Sequence, residues 1–180
     1  TRKEALLAVK LIFENLESVY HDGSDLDKRR NMLHASFYAG CAFTKSYVGY
    51  VHAIAHSLGG EYNVPHGLAN AVILPYILEA YGSSVHKKLY LLAVEAGIVS
   101  PETPCDQAAS EFIRTIRAMN AHFGIGNSIP EIRKEDIPKL AHYADKEANP
   151  LYPVPVLMDA KELAKFYDML LEEHHGSRRN

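Results

Sequence analysis

The sequence predicts an all-α fold, a helical bundle of about seven to eight helices, and three observations predict it. Apolar residues recur at helical spacing, as in Leu6, Val9, Ile12, Phe13 and Leu16, which fall on one stripe of a 3.6-residue period. Breaks containing glycine or proline separate the periodic runs. No run shows the sustained alternation of a half-buried strand.

Composition agrees with a globular protein. Hydrophobic residues make up 47% and charged residues 23% of the 180 positions, enough for one domain over 1–180 with a sizeable core. A net charge of −3 gives no general attraction to nucleic acid or to anionic lipid. No apolar run reaches membrane-spanning length, and the two cysteines, Cys41 and Cys105, form no disulfide or CxxC pattern, so a cytoplasmic setting is expected.

The elements follow in order. Residues 2 to 20 form the first helix, with Thr1 as an expected cap and Glu4 three positions on. After His21-Asp-Gly-Ser, a second helix runs from Asp25 to Tyr47. Its Ala35, Ser36, Ala39, Gly40 and Ala42 suit close approach of a neighbouring helix. A third runs from Tyr47 to Leu58 and is expected to stop at Gly59-Gly60, since glycine accepts the left-handed conformation of helix ends. Pro65 suits the entry to a fourth helix, Gly67 to Ala80, in which Pro75 should kink the backbone. Helices then follow over 85–96, 106–123 and 136–148. Asn149-Pro-Leu-Tyr-Pro-Val-Pro is an extended connector, and a last helix covers 159–172.

Chemistry concentrates between Gly49 and Asn70, GYVHAIAHSLGGEYNVPHGLAN. His52 and His56 are four apart and share a helix face. The first turn of the next helix holds His66, and the short connection can return it beside His52. Imidazole suits zinc and ferrous iron, so on spacing alone all three are candidate ligands of a divalent ion. Asn70, one turn after His66, is placed to bond to His66 or to a bound group. His122 and His142 lie in predicted helices, where a structural role is expected, and His174 and His175 lie in a polar tail.

At these residues the sequence resembles the iron-containing alcohol dehydrogenase family. That family pairs GxxHxxAHxLG with PHGxxNA, and the chain reads GYVHAIAHSLGG and VPHGLANAVILP, preceded by ASFYAGCAF at 35–43. The resemblance implies the C-terminal helical domain of a longer two-domain enzyme. It implies that His52 and His66 are metal ligands for Fe2+ or Zn2+, and that the other two ligands come from a DxxxH helix upstream, absent from these residues. Glu17-x-x-x-His21 is the nearest mimic. His56 is implied to be a non-ligand beside the nicotinamide that passes a proton to or from the substrate. Phe43 is implied to stand near the substrate pocket.

NAD or NADP is expected to be held mainly by an N-terminal domain not contained here, and a homo-oligomer is expected. An alcohol donates hydride more readily as an alkoxide, which a divalent ion stabilises. On its own the chain is expected to be inactive. Two other readings stand beside this one. The first is a relative of the glycerol dehydrogenase or dehydroquinate synthase kind. The second is a non-catalytic helical module with a three-histidine zinc site.

Overall fold

The computed structural model describes residues 1–172, and among them it contains eight α-helices and no strand. They are α1 (Arg2–His21), α2 (Leu26–Ser46), α3 (Tyr50–Tyr62), α4 (His66–Tyr81), α5 (Ser83–Glu95), α6 (Cys105–His122), α7 (Ile137–Ala148) and α8 (Ala160–Glu172). A 3₁₀ turn, Lys134–Asp136, leads into α7. Most predicted bounds lie within two residues of these. The tail histidines 174 and 175 fall outside the described residues.

The chain divides into two compact units, Thr1–Tyr47 with Ser83–Thr115, and Val48–Gly82 with Ile116 onward. In the first, α1 packs on α2 and α5. Asp25 caps α2 by accepting the Asp27 and Lys28 amides, which satisfies two of the donors that every helix start leaves free. Thr1 makes no such cap; its ammonium pairs with Glu4 at 2.6 Å instead. Of the small residues expected at a close contact, Ala35 and Ala42 are buried, and seven positions place them on one face. Ser36 is exposed and a side chain on Gly40 would meet open space, so those two do not serve close packing.

In the second unit α3 packs on α4 and α7, and α7 packs on α8. Tyr50, Ile54 and Leu58, each four apart, are fully buried along with Ala53. Burying Ile54 or Leu58 contributes about 1.5–3 kcal/mol apiece. Two expectations fail at the ends of this helix. It begins after Gly49, because Tyr47 has φ 60° and ψ −174°, which interrupts the helical backbone. It also continues through Gly59 and Gly60 and ends at Asn63, whose left-handed φ of 56° stops it. Asn tolerates that conformation because its short amide bonds locally, and glycine is not required. Val64 then doubles back along α3. Its carbonyl oxygen lies 3.6 Å from where a Cβ on Gly59 would stand.

α4 runs through Pro75. Proline has no amide hydrogen, so the carbonyl four residues earlier, on Ala71, loses its helical partner. Asn120, nearly buried on α6, donates its side-chain amide to that carbonyl at 2.7 Å.

Candidate metal centre

His52, His56 and His66 converge in the second unit. The two rings on α3 have centroids 5.9 Å apart, and the His66 ring lies 5.4 Å from His52 and 5.2 Å from His56. The route follows from the local chain. His52 and His56 take the face of α3 opposite the buried stripe of Tyr50, Ile54 and Leu58. The backward run of Val64 and Pro65 then brings the first residue of α4 level with them.

Each ring has a distinct environment. His52 is half-buried, and burial, then the His66 and His56 rings, hold its imidazole below the ordinary value against an opposing pull from Glu147. That shift favours the neutral ring, the form that binds a metal. His66 is exposed. The Asn70 side-chain nitrogen lies 2.9 Å from the His66 Nε2 and donates to the His66 backbone carbonyl at 3.0 Å. The Asn70 Oδ1 is buried and has no protein partner. His56 is turned differently, with Nδ1 2.7 Å from Glu147 Oε1 on α7.

Two of these imidazoles fit a shared ion. A nitrogen bonded at about 2.0–2.1 Å puts an ion roughly 3 Å from its ring centre, so two rings sharing an ion stand ~5 Å apart. His52 and His66, at 5.4 Å, meet that separation. The three histidines do not bring one nitrogen each within 4.8 Å of one another.

The other candidates lie elsewhere. Phe43 is on α2, in the first unit, 50% exposed. Glu17 and His21 form an exposed one-turn pair at 4.0 Å at the end of α1, as solvated helix ends do. His122 and His142 are exposed on α6 and α7, and both cysteines are free thiols.

Glu147 and Tyr152 join the cluster without any expectation from the sequence. Tyr152 donates its hydroxyl to the same Glu147 oxygen at 2.7 Å. Behind them, buried Tyr50 donates to Asn149 Oδ1 and accepts from the Met158 amide, both at 2.9 Å, which fixes the connector that carries Tyr152. Glu147 precedes an Asn-Pro pair in a helix end, a context with no sign of chemistry. Beside the cluster, a cavity of about 310 Å³ is lined by His56, Ser57, Gly60, Glu61, Tyr143 and Glu147.

Comparison with known proteins identifies the family. The profile of the Fe-containing alcohol dehydrogenase family, C-terminal part, matches residues 2–171. The 1,3-propanediol dehydrogenase of Citrobacter freundii is 35% identical over 93% of this chain and 43% of its own length. Alcohol dehydrogenase 4 of Saccharomyces cerevisiae is 38% identical over 80% of this chain and 37% of its own. Among solved structures, a 1,3-propanediol oxidoreductase superposes with a TM-score of 0.85 at 33% identity, covering 92% of this chain and 44% of that one. An alcohol dehydrogenase from Oenococcus oeni gives a TM-score of 0.85 at 30% identity, covering 93% and 44%. The chain thus spans about two fifths of the curated relatives it matches. An all-helical architecture, the paired histidine blocks and a profile match over nearly every described residue make this chain a member of the Fe-containing alcohol dehydrogenase family, corresponding to its C-terminal part.

Proposed function

We propose that the chain supplies half of the metal-holding shell and one wall of the cleft in an alcohol dehydrogenase that interconverts small alcohols and aldehydes or ketones with NAD or NADP. His52 and His66 hold a divalent ion, Fe2+ or Zn2+, and the part of the relatives that this chain does not match supplies the remaining ligands and the nucleotide site. The ion would supply Lewis-acid polarisation of the substrate oxygen. His56 carries a proton to or from that oxygen, a task suited to imidazole near neutral pH. Phe43 adds an apolar surface near the substrate.

The observation that carries this reading is the different treatment of three clustered rings. The His52 and His66 rings stand at a spacing an ion spans, while His56 Nδ1 is engaged by the Glu147 carboxylate. A three-histidine zinc site would need one nitrogen from each ring to converge, and they do not close within 4.8 Å. We also place the protein in the cytoplasm as a homo-oligomer with no nucleic-acid partner. No described helix is long and apolar enough to cross a membrane.

The test is metal content and alcohol turnover in the whole protein. His52→Ala should lose the ion and all turnover. His56→Ala should keep the ion and lose rate by roughly a hundredfold or more. Equal loss of metal in both variants would give His56 back its place as a ligand. This chain alone, with two protein ligands, should bind zinc weakly and turn over no alcohol.

A further inference from the structure

We propose that Glu147, held by Tyr152, is a positioning residue that sets the tautomer and ring orientation of His56. This deepens the reading above and rests on it for the role of His56, while the geometry stands by itself.

An ionised carboxylate only accepts hydrogen bonds. With Glu147 Oε1 2.7 Å from Nδ1 of His56, a hydrogen sits on Nδ1, and in the neutral ring Nε2 then keeps the lone pair. A proton carrier needs that division of labour: one nitrogen anchored, the other open to take and return a proton. The His56 ring lies nearly parallel to that of His66, with 20° between their planes, and lines the 310 Å³ cavity together with Glu147.

The carboxylate is itself anchored. Tyr152 donates to the same Oε1 at 2.7 Å, and burial, then the bond to Glu147, push its hydroxyl up to about 12, so it stays a donor. Its backbone amide bonds to Ala148 O at 2.7 Å, folding the connector back over the end of α7. Tyr152, Glu147 and His56 therefore form a chain of hydrogen bonds drawn from the connector, α7 and α3. Proton transfer along it is not required; the carboxylate orients the ring and selects its tautomer.

The experiment is NMR of the whole protein carrying ¹⁵N-histidine, with zinc added, at mildly alkaline pH, alongside zinc content and steady-state kinetics. Unsubstituted protein should show His56 protonated at Nδ1 with a pyridine-like Nε2. Glu147→Ala should convert it to a mixture of both tautomers and lower kcat by roughly tenfold to a hundredfold with KM nearly constant. Glu147→Gln, whose carbonyl still accepts, should restore the Nδ1–H tautomer, and Tyr152→Phe should give an intermediate mixture. Zinc content should be the same in all of them.

A His56 that is Nε2-protonated in the unsubstituted protein, or unchanged in Glu147→Ala, overturns the proposal. Zinc loss in Glu147→Ala also overturns it, since it would make Glu147 part of the metal shell. Failure of the unsubstituted protein to bind zinc would instead count against the function proposed above, and the tautomer would still decide the role of Glu147.

Discussion

Each of the two units is held internally by its own kind of polar bond. In the first, Lys28 Nζ donates to Ser18 Oγ at 2.6 Å and Asn31 donates to Asn15 at 3.1 Å, pairs 10 and 16 residues apart. In the second, tyrosine hydroxyls and amides reach much further along the chain. Tyr50 bonds to Asn149 and Met158, Ser57 to Tyr167, Tyr62 to Asp136, and Asn120 to Ala71. Apolar burial holds both units, but it is non-directional. Placing three imidazoles within 6 Å of one another requires fixed rotations of α3, α4 and α7, and directional bonds between distant residues supply them. The unit that carries the site is the one whose helices are pinned by such bonds.

The largest effect should come from breaking the longest of these ties. Tyr50 has no exposed surface, and its hydroxyl serves Asn149 and the buried Met158 amide at once. Tyr50→Phe keeps the ring but strands both groups, a loss of about 2–4 kcal/mol in urea unfolding. Amide hydrogen exchange should quicken across residues 149–158 and at the end of α7. Unfolding and exchange indistinguishable from the parent would mean that apolar packing alone orders the connector.

The next effect isolates a repair inside α4. Asn120→Leu leaves the Ala71 carbonyl without a partner and should cost about 1–3 kcal/mol. Pro75→Ala returns an amide hydrogen to the position four residues on, so the carbonyl regains a helical bond. In that background Asn120→Leu should cost about 1 kcal/mol less, a coupling read from a double-mutant cycle. Strict additivity would show that Asn120 acts through packing and not by capping the orphaned carbonyl.

These features mark how far the sequence was legible. Each helix had either an apolar period or, as in α4, a long apolar run, with a turn signal nearby, so existence and type could be read for all eight. The histidine cluster was legible because His52 and His56 share a face and only a few residues lead to His66. Other features were not. Gly59 and Gly60 stay helical despite about 1 kcal/mol apiece of intrinsic penalty, because the preceding turns, with Ile54, Ala55 and Leu58, are buried, and Asn63 makes the stop instead. Glu147 stands 91 residues from His56, and Asn120 stands 49 from Ala71. Contacts at that range depend on how helices are rotated against each other, which no local pattern records. Phe43 and the upstream ligands rest on family likeness, since a coordination shell shared between parts of a longer protein leaves only its local half in this chain.

The smallest effect should come from the first unit. Asn15 is buried on α1, donates to its own helix at Leu11 O at 2.8 Å, and accepts from Asn31. If local packing holds this unit, the pair can be replaced as a pair. Asn15→Leu alone should destabilise by about 1–2 kcal/mol, because it strands the Asn31 amide. Joining it with Asn31→Leu should bring the loss to within ~0.5 kcal/mol of the parent, since two apolar groups of similar size leave nothing unsatisfied. Urea unfolding of the single and double variants measures both. A double variant as damaged as the single one would show that the first unit, like the second, depends on a directional bond for its helix register, and the contrast between them would collapse.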